Sequence, residues 1–252
     1  MTSAEIPSYI RKAFEIFKRN IVKIILFAIL VYVPVSLMQL MLPDLDMSGM
    51  TQASLPSYYK KLLILLLATV LLSLISGIFD MTVIYFVREA DKPLKVPFSE
   101  AFDFALRTFP KYLATRAIGY LIGFALAMLC FLPGIIALFL FSLSPYLVVL
   151  REVWGRRALK ESALLVRKNA LFLIVVLLIQ YAAIYFLSFC MSMAMVLLNS
   201  LKLNSLAVNV TRVVSDVVIY TVLSLVTIFI ALITQRMISS TPELDKVPGQ
   251  EQ

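Results

Sequence analysis

The chain has 252 residues, 61% of them hydrophobic and only 15% charged. A water-soluble domain runs near 45–50% apolar and about 25% charged, so too little polar surface is available here to coat a soluble fold. Seven Gly, eleven Pro and two Cys exclude collagen, low-complexity disorder and a disulfide scaffold. The net charge is +8, and in a chain built for a bilayer such an excess reflects topology and anionic headgroups rather than nucleic acid. No His is present, which removes the commonest general base, the commonest zinc ligand and every Ser–His or Cys–His nucleophile pair.

The first predicted element is a basic amphipathic helix. Ile10, Ala13, Phe14 and Phe17 share one face, against Arg11, Lys12, Glu15, Lys18 and Arg19 on the other. It leads into a first span at 21–42, since about 20 apolar residues cross the hydrocarbon core. That run is longer than a signal peptide's apolar region and no small-x-small cleavage site closes it, so the span is expected to be retained. Asp44 and Asp46 follow; they read as an ordinary polar loop or as a divalent-cation loop. The second span, at 62–87, carries Asp80. A second amphipathic helix then sets Phe98, Ala101, Phe102, Ala105, Leu106 and Phe109 against Ser99, Glu100, Asp103 and Arg107.

Residues 117–150 are free of charge, too long for one crossing, and broken by Pro133-Gly134. Such a pair favours a turn, giving antiparallel spans at 113–132 and 134–150. The uncharged part of the third span is short. Either residues 112–116 lengthen it, with Arg116 snorkelling, or the pair forms a re-entrant hairpin. A third basic segment sets Ala158, Ser162, Leu165 and Val166 against Arg157, Lys160, Glu161, Arg167 and Lys168. The fifth and sixth spans are predicted at 170–198 and 213–235, followed by a polar tail at 237–252. The expected fold is all-α: one membrane domain over 1–236, with six transmembrane helices and three interfacial amphipathic helices.

Those three basic segments resemble one another. Ala13-Phe14-Glu15-Ile16 aligns with Ala101-Phe102-Asp103-Phe104, and Lys18-Arg19-Asn20 with Arg167-Lys168-Asn169. Either one unit of interfacial helix and two spans occurs three times, or basic helices arose independently where spans begin. Their exposed cations Arg11, Lys12, Lys18, Arg19, Arg107, Lys111, Arg156, Arg157, Arg167 and Lys168 are candidate contacts for anionic lipid headgroups, or serve orientation alone. Lys and Arg number five, six, six and two in alternate segments, against two, none and two in the others. Positive-inside bias therefore places both termini in the cytoplasm.

Asp80 is the candidate intramembrane acid, with Lys23 or Arg116 in the same leaflet as its partner. Asp216 lies near the outer end of its span, at a different depth, and is expected at the interface. Gly119, Gly123 and Ala127 form a small-residue ridge for close helix packing, within the bundle or between protomers. Pro34 and Pro145 are expected to kink their helices, and Cys130 and Cys190 read as free packing residues. Asn209-Val210-Thr211 has glycosylation spacing but abuts the sixth span. No phosphate-binding loop, metalloprotease helix or nucleophile elbow is present, so no enzyme activity, cofactor or metal is expected.

Residues 99–175 carry a resemblance. The Leu132-Pro133-Gly134-Ile135-Ile136 and Ser144-Pro145-Tyr146-Leu147-Val148-Val149 stretches resemble the YciC-type family of bacterial inner-membrane proteins. So do Gly155, Ala158, Ser162, Leu165 and Asn169, and the Phe17-Lys18-Arg19-Asn20 segment. That family is related to the membrane domain preceding some glycerophosphodiester phosphodiesterases. The resemblance implies a bacterial inner membrane and no catalytic residues. The expected function is non-enzymatic, by association with membrane lipids, a protein partner or a second copy; the alternative is a small transporter or lipid exporter lined by kinked helices and Asp80.

Overall fold

The computed structural model describes residues 6–40, 55–90, 96–200, 205–242 and 244. Asp44, Asp46, Asp91, Lys92 and Lys95 lie outside the described residues. The elements are α1 (Ile6–Leu40), α2 (Leu55–Arg88), α3 (Phe98–Leu129), α4 (Phe131–Leu140), α5 (Ser144–Leu150), α6 (Gly155–Lys168), α7 (Ala170–Ser200) and α8 (Ser205–Ser239). No strand occurs among the described residues. Five stretches are long and apolar enough to cross a membrane: Ile6–Leu37, Phe98–Leu129, Phe131–Leu150, Ala170–Ala194 and Val213–Ser239. The chain is a helical, apolar-rich protein of multi-pass membrane type.

Helices α1 and α8 run antiparallel along a polar and aromatic seam. The Ser36 hydroxyl donates to Asp216 Oδ2 at 2.6 Å, so the carboxylate expected at an open interface is held by a fully buried serine. One turn further in, the rings of Tyr32 and Tyr220 stack at 3.6 Å, tilted by only 5°. Helix α2 packs on both α1 and α8, and Phe27 of α1 gathers the rings of Phe79, Phe98 and Phe102 at 6.3, 5.1 and 5.5 Å.

The two N-terminal amphipathic segments are not separate helices. Helix α1 continues unbroken for 35 residues and α3 for 32, each joining its basic segment to the following span. The physical reason is packing. Ala101 and Ala105 are fully buried, and Phe98 and Phe102 close on Phe27 while Phe104 stacks on Tyr85 at 4.4 Å. Much of this apolar face meets protein, while Leu106 stays exposed. In α1 the face turns as well: Ala13 and Ile16 are buried, whereas Ile10 and Phe14 are exposed.

The turn predicted at Pro133-Gly134 lies three residues earlier. Cys130 adopts the extended conformation that separates α3 from α4, and Pro133 and Gly134 sit in the first turns of α4. A proline costs nothing there, because the first turn has no carbonyl waiting for its missing N–H. Gly134 serves close approach: a Cβ at this position would come within 2.5 Å of Ala127 Cβ and 2.8 Å of its backbone nitrogen. A Cβ at Gly123 would meet Leu138 at 2.6 Å, and one at Gly119 would meet Leu159 at 3.3 Å. The ridge thus packs within the chain, against α4 and α6.

The fourth predicted span is itself interrupted. Helix α4 has 10 residues and α5 has 7, with a turn over 141–143 between them. Pro145 opens α5 in its first turn instead of kinking a continuous helix. Carbonyls freed at the break find hydroxyls: Ser144 donates to Phe141 O at 2.8 Å, and Ser162 of α6 donates to Leu140 O at 2.7 Å.

Helix α6 is the one basic segment that remains a distinct helix, and its inner face is fully buried at Ala158, Ser162, Leu165 and Val166. Glu161, assigned to the polar face by periodicity, is also fully buried. It is compensated by Arg157 at 3.0 Å and Arg151 at 3.4 Å. Arg88 ties the α5–α6 connection to the end of α2, donating to Val149 O at 3.1 Å and pairing with Glu152 at 2.6 Å. At the start of α6, Gly155 has φ +62°, and its N–H donates to Thr115 Oγ1 at 2.7 Å. The end of the chain also departs from expectation. Helix α8 runs to Ser239, and Met237 and Leu244 are buried in the core, so the segment predicted as polar tail is partly packed.

Candidate functional site

A cavity of about 440 Å³ lies inside the bundle, in the 300–1,000 Å³ range of small-molecule sites. Seven of the helices reach it. Tyr32 comes from α1, Asp80 from α2, and Thr115, Arg116 and Tyr120 from α3. Leu138 belongs to α4, Tyr146 to α5, and Ser142 to the interruption between them. Gln180 and Tyr181 come from α7, and Tyr220, Ser224 and Thr227 from α8.

Two opposite charges face this space and attract each other without forming a contact ion pair. Asp80 and Arg116 interact electrostatically, yet among the described residues Asp80 forms no hydrogen bond or ion pair. Lys23, its other expected partner, donates to the Val96 carbonyl and lies over the Phe86 ring at 5.9 Å. Arg116 is held by tyrosines one helical turn on either side. Nε and Nη2 donate to the Tyr112 hydroxyl at 3.2 and 3.0 Å, and Nη1 donates to the Tyr120 hydroxyl at 2.6 Å. Both rings also lie near the guanidinium, at 5.4 and 5.7 Å.

Three of the five guanidinium N–H groups are thereby occupied, leaving two to meet a ligand. Ser142 adds a buried hydroxyl that has no partner among the described residues. The arrangement can bind and orient charged or hydrogen-bonding groups. No group of three or more metal-ligating side chains occurs among the described residues.

The other predicted residues lie elsewhere. Arg11, Lys12, Lys18, Arg19, Arg107, Lys111, Arg156, Arg167 and Lys168 are exposed, while Arg157 is half-buried on Glu161. Lys18 lies over the Phe14 ring at 5.0 Å, and Arg11 pairs with Glu15 at 3.4 Å. Gly119 lines the cavity; Gly123, Ala127, Pro133 and Gly134 belong to the α3–α4 hairpin. Cys130 and Cys190 are exposed and unpaired by disulfide. Sequence reasoning missed Tyr32, Tyr146, Gln180 and Tyr220. Gln180 left a signal, as the lone amide side chain in the predicted fifth span.

No family model, no curated protein and no solved structure matches this chain.

Proposed function

We infer that the chain is a six-span protein of the bacterial inner membrane, with both termini cytoplasmic, that acts by binding membrane constituents and not by covalent catalysis. The sixth crossing is α2, a 34-residue helix packed against α1, α3 and α8. The observation that carries the reading is Asp80. A carboxylate directed into a cavity within a membrane bundle is costly, and with no hydrogen bond or ion pair to it among the described residues, only the attraction of Arg116, its retention is best explained by a bound group. The exposed cations at the basic end support a second, weaker association with anionic lipid, each contributing on the order of 1 kcal/mol near a negative leaflet.

One feature favours transport as the second reading. The fourth span is broken over 141–143, and the break lines the cavity; irregular backbone at membrane depth is tolerated where it borders such a space. Asp80→Asn tests both readings. At unchanged protein level it is expected to abolish the cellular phenotype that the native gene restores. Full restoration by Asp80→Asn would overturn the cavity as the working site. Reporter fusions at Arg156 should give a cytoplasmic signal, and an external one would reverse the orientation.

A further inference from the structure

We propose that the cavity receives the headgroup of an amphiphile bearing both an ammonium and an anionic oxygen group, which enters sideways from the bilayer between α4 and α7. The inference rests on the cavity being the working site and goes on to name what occupies it. Its first support is the separation of charge. Among the described residues the Asp80 carboxylate attracts Arg116 but forms no hydrogen bond or ion pair, and Arg116 keeps two N–H groups beyond its tyrosine clamp. A ligand of one sign would draw on one charge and weaken its attraction to the other, leaving that other charge less compensated in a low-dielectric space. A zwitterion satisfies both.

The lining supplies groups suited to each charge. Asp80 is within electrostatic reach of Tyr32, Tyr146 and Tyr220, all of which line the cavity. A carboxylate ringed by phenols suits an ammonium, which gains from both the charge and the ring faces. At the other pole, the Tyr120 hydroxyl lines the cavity and accepts from Arg116, so its own hydrogen remains free to donate to an anion beside the guanidinium.

The opening selects the source. Tyr120 and Leu138 on one side and Tyr181 on the other line the cavity and are 55%, 42% and 57% exposed. Helix α7 leans on α8 and, less, on α6, with no substantial packing interface to α3 or α4 among the described residues. Tyr181 lies eleven residues into α7, about 17 Å along its axis at 1.5 Å per residue, close to the middle of a roughly 30 Å hydrocarbon core. A portal at that depth faces acyl chains. It admits a lipid whose tails stay outside in preference to a zwitterion dissolved in water.

The test uses the full chain, delipidated in non-ionic detergent, and lipid binding read by native mass spectrometry. Phosphatidylethanolamine carries both charges, phosphatidylglycerol lacks the ammonium, and glycerophosphoethanolamine lacks the tails. Phosphatidylethanolamine is expected to bind at least tenfold more tightly than either. Asp80→Asn should erase its advantage over phosphatidylglycerol, whereas Arg116→Gln should weaken both lipids about tenfold. Equal binding of the two lipids by the unaltered chain, or a preference that survives Asp80→Asn, would overturn the proposal. Equal binding of the tail-free headgroup would assign the site to a soluble zwitterion and overturn the lateral route.

Should the charge variants not fold, Tyr181→Trp in a Trp154→Phe background gives an independent reading. Brominated phosphatidylethanolamine should quench its fluorescence at several-fold lower concentration than brominated phosphatidylglycerol; equal quenching counts against the proposal. Loss of cellular function in Asp80→Asn without any lipid preference would refute this ligand class while leaving the cavity as the working site. Retained function would refute both.

Discussion

The α1–α2–α8 side of the bundle and the α4–α7 side are similarly apolar in sequence, yet they are built differently. On the first, Ile24, Phe27, Ala28, Met81, Ile84 and Ile228 are all buried, and aromatic rings interlock across three helices. On the second, Leu171, Tyr181, Tyr185, Phe186 and Phe189 of α7 stand exposed, as do Leu132, Ile135 and Ile136 of α4. In water the second side would be an aggregation surface. In a bilayer it is simply solvated, because acyl chains are as apolar as the side chains they touch. What distinguishes the packed side is shape and polar pairing: the Tyr32–Tyr220 stack, the Ser36–Asp216 hydrogen bond and the close ring contacts of Phe27. The cavity lies where the two sides meet, between a wall that holds its geometry and one with few neighbours to hold it.

Substitutions can break this contrast at graded cost. The largest effect is expected for Phe27→Ala, which removes a ring contacting Phe79, Phe98 and Phe102 from a site 1% exposed. We expect a loss of about 3 kcal/mol, the lower end for aromatic-to-alanine changes, since lipid supplies no water-transfer contribution. Unfolding in detergent titrated with denaturing surfactant measures it. A loss below about 1 kcal/mol would mean the aromatic cluster does not organise this side. Gly134→Ala is expected to come next, at about 1–3 kcal/mol, because its Cβ would meet both the side chain and the backbone of Ala127 and force the α3–α4 hairpin apart. An unchanged midpoint would show that the hairpin separates without cost and that the exposed side is looser still.

Much of the architecture was legible because charge marks membrane boundaries. The fifth predicted span, 170–198, coincides almost fully with α7, since Lys168 and the polar residues after Leu198 delimit it. Breaks within apolar runs were harder to read. Pro133-Gly134 drew the turn three residues too late, because a proline is as compatible with the first turn of a helix as with the turn before it. The interruption at 141–143 carries no glycine or charge; its only mark is Ser144-Pro145, which also fits a helix start. Glu161 falls on the polar face by periodicity, yet it is fully buried. The signal to the contrary was Arg157 four residues before it, a spacing that pairs on one face. Of the cavity, Asp80 and Arg116 were recognisable as charges within spans, but the tyrosine clamp of Tyr112 and Tyr120 on the guanidinium had to be read from the structure.

The smallest expected effect sharpens the comparison most. Phe189 on α7 is 60% exposed, and replacing it by alanine removes as many atoms as Phe27→Ala does. A cost set by apolar content would make the two changes equal. Where the partner of the ring is acyl chain, however, the shorter side chain is replaced by lipid in both the folded and the dissociated states, and Phe189→Ala should cost less than about 0.5 kcal/mol. Measuring both variants under the same surfactant titration isolates packing from hydrophobicity, as the residue types are identical and only the neighbours differ. A Phe189→Ala loss approaching that of Phe27→Ala would require a protein surface over α7. The lateral opening beside Tyr181 would then be covered, and the bilayer route into the cavity closed.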